Sequence, residues 1–274
     1  MKKITLKLLK KIDGLLNLKN LSLINDKKIN NRNIGQIFLI YKNKEIKLSE
    51  IFSIKIIENQ KEENEINVKG CNSFCNYLGY KWKKDILTVE SNLGSYVGKK
   101  MQGGEIRVKG SVEDFLGSGM LGGKIIIRGN AKDYVGSASF GEKIGMNGGE
   151  IFISGDIGKY ACNFMRRGLV IIKGNVDVYC CFNMISGTLI AFGNVEKNFG
   201  ISMRRGTLIF YTANFVDANN FIKSGEFDLS FIRLIERYLF KEYLIKFPKK
   251  NIRFIKFSGD KNLNGLGEVF IKNI

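Results

Sequence analysis

Six short segments of the chain share one pattern of apolar and polar positions, and glycines separate them. Each is rich in β-branched residues and has an apolar side chain at every second position, which is typical of a strand with one buried face. The segments are residues 105–108, 124–127, 150–153, 169–172, 188–191 and 207–210. Their inward positions are all apolar: Ile106, Val108, Ile125, Ile127, Ile151, Ile153, Val170, Ile172, Leu189, Ala191, Leu208 and Phe210. We therefore predict six strands around one core.

The central outward position of these strands is also apolar in all but the first. Arg107 comes first, and the stripe that follows consists of Ile126, Phe152, Ile171, Ile190 and Ile209. An apolar stripe of this length is not stable against water, so some other segment must cover it. One candidate is the segment 226–244, in which Phe227, Phe231, Leu234, Ile235, Tyr238 and Leu239 fall at roughly helical spacing. The other candidate is a partner subunit, and both covers can coexist.

The strands belong to a repeat of fixed length. Methionines at 101, 120, 146, 165, 184 and 203 are separated by 19, 26, 19, 19 and 19 residues, so one repeat carries a seven-residue insertion. A glycine column at 79, 98, 117 and 136 keeps this period and continues as Cys162, Cys181 and Gly200. A second short strand is expected around the aromatic column Tyr77, Tyr96, Phe115, Tyr134, Tyr160 and Tyr179. A repeat of nineteen residues is too short to contain its strands and a connecting helix. The period therefore favours an all-β solenoid of the parallel β-helix type.

The ends of the chain lack this period. We predict an N-terminal cap over residues 1–64, the β-helix over 65–211, and a C-terminal cap with a helix over 212–274. Solenoids need such caps because their terminal strands otherwise expose unpaired edges. A closing strand is expected near residues 267–271.

Composition excludes several kinds of chemistry. The 274 residues include 31 glycines and no histidine, so there is no Ser-His or Cys-His nucleophile and no His-ligated metal. The net charge of +18 is spread along the chain and forms no patch, which favours a lysine-rich solvated surface over nucleic-acid binding. No signal peptide or membrane span is visible, and five cysteines fit a reducing cytoplasm.

No residue of the sequence is assigned to catalysis, to cofactor binding or to a metal. Cys71 and Cys75 have no second pair of ligands, and Cys162 and Cys181 are expected to be small core residues. The Gly-Gly pairs beginning at 103, 122 and 148 are predicted to be turns, because no helix follows them to bind a phosphate.

Two arginine pairs stand out. Arg166 and Arg167 follow one column methionine directly, and Arg204 and Arg205 follow another two repeats later. A rise of about 4.8 Å per repeat would place the pairs about 10 Å apart on one edge. Guanidinium groups bind carboxylates in a bidentate manner. Lys99 and Lys100 lie near the corresponding position of an earlier repeat and are expected to extend this edge.

These columns resemble a known family. The pattern Met-x-Gly-Gly-x-Ile-x-Val-x-Gly, with its variants Met165-Arg-Arg-Gly-Leu and Met203-Arg-Arg-Gly-Thr-Leu, resembles the C subunit of formylmethanofuran dehydrogenase and of the bacterial formyltransferase/hydrolase complex. The tail, with Arg253-Phe, Gly259-Asp and Gly265-Leu-Gly-Glu, resembles the bacterial form. A related β-helix ends the large subunit of glutamate synthase, which is the alternative. Cys162, Cys181 and Asn198 depart from the pattern.

The resemblance implies a right-handed parallel β-helix with a structural role and no active site of its own. Such complexes act in one-carbon metabolism, where they interconvert a formyl carrier of the methanofuran type and formate. The implied partners are the sister A, B and D subunits, which hold the metal, either zinc or a molybdenum or tungsten pterin. The carrier has a polyglutamyl chain. The two arginine pairs are therefore expected to touch a sister subunit, to guide this anionic carrier, or simply to be solvated.

Overall fold

The computed structural model describes residues 2–26, 33–58, 63–212, 220–247 and 252–273. These residues are mostly β, and thirteen of their strands form one sheet. The strands are β1 (Lys2–Leu8), β2 (Leu16–Asn17), β3 (Phe38–Tyr41), β4 (Lys44–Lys47), β5 (Phe52–Glu58), β6 (Glu65–Lys69), β7 (Cys75–Asn76), β8 (Ile86–Val89), β9 (Glu105–Val108), β10 (Lys124–Ile127), β11 (Asn147–Ile153), β12 (Arg167–Ile172), β13 (Thr188–Ala191), β14 (Arg205–Phe210), β15 (Phe221–Phe227), β16 (Phe254–Gly259) and β17 (Leu266–Lys272). The helices are α1 (Leu48–Ile51) and α2 (Ser230–Tyr243), with 3₁₀ turns at Lys19–Asn25, Ile34–Gln36 and Lys261–Leu263.

The predicted strands and their inward faces are present. From β8 to β14 each strand pairs in parallel with the strand of the next repeat, and equivalent positions lie opposite each other. Ile106 pairs with Ile125, for example, and Ile125 with Ile151. All twelve predicted inward side chains are buried, at 1% exposure or less. A column of the sequence is thus a row in space, because the repeats stack in one register.

The predicted second strand around the aromatic column is wrong. Those aromatic residues have φ between 56° and 65°, the left-handed region, where a strand cannot continue. Parallel bridges between repeats occur three residues earlier, in a row of buried apolar residues. This row consists of Leu93, Val112, Ala131, Ile157, Val176 and Val195. The aromatic residues belong to turns, and each repeat therefore has a strand side, a bridge side and a turn side.

Both ends of the sheet are closed by antiparallel strands. At the N-terminal end, β1 extends the parallel row beside β6, and β5 pairs with β1 in the antiparallel sense. At the C-terminal end, β17 pairs in parallel with β14 and is the predicted closing strand, followed outward by β16 and β15. The helix predicted over 226–244 begins later, at Ser230, because residues through Phe227 belong to β15. No helix in the described part of the chain is long and apolar enough to cross a membrane.

Candidate functional site

The two arginine pairs line one cleft. Backbone hydrogen bonds stack the first residue after each column methionine: the N–H of Arg166 donates to the carbonyl of Met146 at 2.8 Å, and the N–H of Arg204 to that of Met184 at 2.9 Å. The intervening repeat contributes Ile185 and Ser186, which are neutral. The cleft has a volume of about 460 Å³, and it is lined by Arg166, Arg167, Ile185, Ser186, Arg204 and Arg205.

No described residue compensates the charges of this cleft. All four arginines are exposed, and none forms an ion pair or a side-chain hydrogen bond with another described residue. Strand spacing places the two pairs about 10 Å apart, with one neutral repeat between them. Each guanidinium group presents a planar set of donors that matches a carboxylate or a phosphate. The cleft can therefore bind a ligand that carries anionic groups at about this separation.

Lys99 and Lys100 do not extend this cleft. They precede Met101, whereas the arginines follow their methionines, so the lysines lie on the turn side of the repeat. Lys100 forms an ion pair with Glu142 at 2.8 Å, and Lys99 approaches the same carboxylate at 3.8 Å. Burial lowers the pKa of Lys99, while the hydrogen bond that Lys100 donates to Glu142 raises the pKa of Lys100. The expected continuation of the arginine edge is absent because the lysines precede their methionine, and Glu142 of the seven-residue insertion is their local partner.

The outward apolar stripe lies under the C-terminal segment of the same chain. Phe152, Ile171, Ile190 and Ile209 are fully buried in a second apolar cluster, and Ile126 at its end is half-buried. Helix α2 supplies Ile232 and Leu239 to this cluster. The remaining buried members are Ile245, Phe254 and Phe270. The outward position turns polar at Arg107, which lies outside this covered cluster.

One carboxylate fixes helix α2 to the strands. The hydroxyls of Tyr238 and Tyr243 each donate to Glu150 at 2.5 Å, and the ring of Tyr243 stacks on Phe152 with centroids 4.0 Å apart. Lys124 forms an ion pair with Glu242 at 2.8 Å. Burial is the main cause that raises the pKa of both tyrosines, so they remain donors at neutral pH.

The cysteines lie in the interior. All five are free thiols and buried, and burial raises the pKa of Cys181 well above its ordinary value. A buried thiol of this kind is a poor nucleophile and a poor ligand. Within the described ranges, no group of three or more Cys, Asp or Glu side chains could hold a metal ion. The Gly-Gly pairs beginning at 103 and 122 lead directly into β9 and β10, and the pair at 148 lies within β11.

The aromatic column forms a surface that the strand predicted from the sequence did not indicate. In the structure the rings stack face to face along the turn side, with neighbouring centroids 4.6–5.5 Å apart. The sequence signal for this turn is the aromatic residue that recurs three positions after an apolar residue of the bridge row.

Comparison with known proteins places this architecture in a family. The model of the GXGXG motif family matches residues 90–232, just over half of the chain. No curated protein matches the sequence. One chain of the formyltransferase/hydrolase complex of Methylorubrum extorquens, whose crystal structure contains methylofuran, is 25% identical with a TM-score of 0.79. The alignment covers 98% of this chain and 100% of that chain. The chain is therefore a member of the GXGXG motif family.

Proposed function

We propose that this chain is a non-catalytic structural subunit, equivalent to the C subunit, of a formyltransferase/hydrolase-like complex in one-carbon metabolism. The observation that carries the proposal is the alignment along almost the whole length of both chains with one chain of such a complex. The alignment spans the repeats and both capping regions. The GXGXG motif model, over residues 90–232, does not reach the N-terminal cap and covers only part of the C-terminal cap.

The fold suits a scaffold. The parallel strand row and the parallel bridge row support the finer assignment of the repeats to a single parallel β-helix, for which the family resemblance implies a right hand. Such a solenoid is rigid along its axis, because each repeat hydrogen-bonds its neighbours, and it offers long flat sides to other proteins. The sister A, B and D subunits would bind to these sides.

The chemistry would lie in those sister subunits. The sequence has no histidine, and the cysteines are buried and not grouped with other ligands in the described part of the chain. These residues do not fit a zinc ion or a molybdenum or tungsten pterin. The carrier of the complex would be of the methanofuran type, and the site of action would be the cytoplasm.

The arginine cleft would contact carboxylates in this setting. Four exposed guanidinium groups without described partners, in two pairs about 10 Å apart, suit either an acidic segment of a sister subunit or the polyglutamyl chain of the carrier. Both ligands would lose affinity as salt rises, because the Debye length falls from about 30 Å at 0.01 M to about 10 Å at 0.1 M.

The test replaces the four arginines together. We expect the R166Q/R167Q/R204Q/R205Q variant of this chain, reconstituted with its sister subunits, to slow turnover of the polyglutamyl carrier most strongly at low salt. The turnover of a carrier truncated to remove its carboxylates should be nearly unaffected by the four substitutions. The control replaces four exposed lysines outside the cleft with Gln, which removes the same charge: Lys3, Lys55, Lys173 and Lys223.

Each outcome decides one role of the cleft. A variant that no longer assembles assigns the arginines to an interface with a sister subunit. A variant that assembles and turns over like the parent at every salt concentration shows a solvated corner and overturns the carboxylate role. A chain that never assembles with formyltransferase and amidohydrolase-like subunits, even as the parent, overturns the proposed function itself.

A further inference from the structure

The turn side of the repeats carries a continuous row of aromatic rings. Six rings stack face to face, with interplanar angles of 3–8°: Tyr77, Tyr96, Phe115, Tyr134, Tyr160 and Tyr179. Three further rings, Tyr80, Phe140 and Phe182, contact this row edge to face. We call these nine residues the aromatic face. Stacked aromatic pairs stabilise each other beyond the burial of their surface, which helps to hold the rings in one row.

Phe140 projects from this face. It belongs to the seven-residue insertion of the one long repeat, and 77% of its surface is exposed. Its ring lies 5.2 Å from that of Phe115 and 5.6 Å from that of Tyr134, which fixes its direction. Glu142 in the same insertion is held by Lys100. An exposed aromatic side chain on a held loop is the geometry of an interface anchor.

The other two sides of the repeats differ from the aromatic face. The strand side is covered by α2 and the strands around it. The bridge side is lined by polar side chains whose oxygens accept hydrogen bonds from the backbone N–H of the next repeat. The acceptors are Asn92, Ser111, Asn130, Asp156 and Asn175, at 2.6–3.0 Å. Among the described residues, the aromatic face is therefore the side of the repeats on which a row of rings is partly exposed: Phe140 is 77% exposed, Phe115 is buried at 5%, and the other seven residues are half-buried.

A planar ligand such as a nucleobase is not the ligand that this face suits. Between the two ends of the row, each ring face is occupied by a neighbouring ring, so the row offers mainly its edges and hydroxyls. Edges and hydroxyls arranged in one row, with one projecting phenyl group, instead suit the surface of another protein, where Tyr and Phe are enriched.

Charge indicates which protein surface would fit. The lysines next to the rings are Lys19, Lys81, Lys99, Lys100, Lys143 and Lys159, and the acidic residues are Asp114, Asp133 and Glu142. Lys19 lies 4.2 Å from the ring centroid of Tyr77, and Lys99 lies 4.9 Å from that of Tyr96. Two copies of this face would bring like charges together, which disfavours a homodimer through it. A partner with carboxylates around an apolar pocket would be complementary.

We propose that the aromatic face is the docking surface for a different protein subunit, with Phe140 inserted into an apolar pocket of that subunit and its carboxylates opposite the lysines. The inference rests on the proposed function only for the existence of sister subunits. It adds which side of this chain they bind and by which chemistry.

The experiment compares two exposed apolar residues. F140S removes the anchor, while L234S, on α2, removes a side chain that is 63% exposed but lies on another side of the molecule. Dissociation constants for the full-length parent and both variants are measured by biolayer interferometry against the purified amidohydrolase-like and formyltransferase subunits. We expect F140S to bind one of them about tenfold or more weakly and L234S to bind like the parent. Thermal unfolding of the variants should match the parent, because both side chains are exposed.

Three outcomes would overturn the inference. Equal binding by F140S and the parent would show that the aromatic face is not the dock, and the proposed function would stand. Dimers of the isolated parent in sedimentation, lost in F140S, would identify a second copy as the occupant. A parent that binds neither subunit would remove both the inference and the proposed function.

Discussion

The side chain that a position of one repeat tolerates depends on the side chain that faces it from a neighbouring repeat. Gly117 and Gly136 occupy the same column with φ of 64° and 65°, so a Cβ atom meets the same backbone restriction at both. A Cβ at Gly117 would lie 2.4 Å from the Cδ1 of Ile151, whereas at Gly136 its nearest neighbour, Cγ2 of Val170, is 3.7 Å away. The next member of the column is Cys162, which keeps φ at 59°. Position 136 thus keeps glycine although its nearest neighbour leaves room for a Cβ atom, and the column changes to cysteine one repeat later.

This pair of glycines allows backbone and packing effects to be separated. G136A should cost about 1–2 kcal/mol of unfolding free energy, the penalty for Ala in the left-handed region. G117A should cost a further ~1–3 kcal/mol, because the methyl group collides with Ile151 in a packed core. I151V removes the colliding Cδ1 atom and itself costs about 0.5–1.5 kcal/mol. Measured against I151V alone, G117A should therefore lose little more stability than G136A. Urea unfolding of the parent, I151V, the two single Ala variants and the two double variants measures this, and equal losses for G117A and G136A in the parent background would contradict it.

At the scale of elements, helix α2 and the outward stripe stabilise each other. The stripe is apolar because α2 covers it, and α2 is held by Glu150 through two tyrosyl hydroxyls as well as by apolar contacts. The helix also has exposed apolar residues on its outer side, such as Leu234. Its sequence alone therefore does not say which of its sides faces the strands.

Charges placed in the stripe test this packing. The F152K/I171K double variant should lose several kcal/mol of stability, because two ammonium groups would be buried without partners under α2. I126K should cost far less, since Ile126 is half-buried at the end of the stripe and its ammonium group can reach water. Thermal unfolding, together with limited proteolysis of residues 220–273, reports both effects. A double variant that melts like the parent would show that the stripe does not need its cover.

At the scale of the whole molecule, the three sides of the repeats have different surfaces. One side is covered by the chain's own C-terminal segment, one is polar, and one is aromatic, while the arginine cleft lies at the corner next to the strand side. This asymmetry is what a scaffold with defined partners would need, since each partner can be placed by a different chemistry.

The proposed role predicts that the isolated chain is inactive. Purified protein should neither hydrolyse nor oxidise a formyl-methanofuran carrier, because it has no histidine and its thiols are buried. Adding the purified chain to the sister subunits should restore the rate of the assembled complex. Formate release, followed by a coupled assay, measures this. Turnover by the isolated chain at a rate comparable to the complex would contradict the structural role.

The sequence alone predicts the repeat, the strands and their inward residues. The period is local information repeated many times, and a stack in one register converts each column into a row of buried contacts. It also determined the arginine corner, because equivalent positions in repeats two apart must lie on one edge. It did not determine the conformation of the aromatic column, since aromatic residues are common in strands and the left-handed turn depends on stacking with the neighbouring repeats.

The contacts outside the repeats follow from packing in three dimensions and not from the repeat pattern. The cover of the stripe comes from residues 230–272, which do not follow the period, so no spacing in the sequence relates Ile232 or Phe270 to Phe152. The ion pairs of Lys99 and Lys100 likewise depend on one insertion, which brings Glu142 to them. Contacts of this kind join segments far apart in the chain. Their geometry is set by packing and charge in three dimensions, where a periodic pattern carries no information.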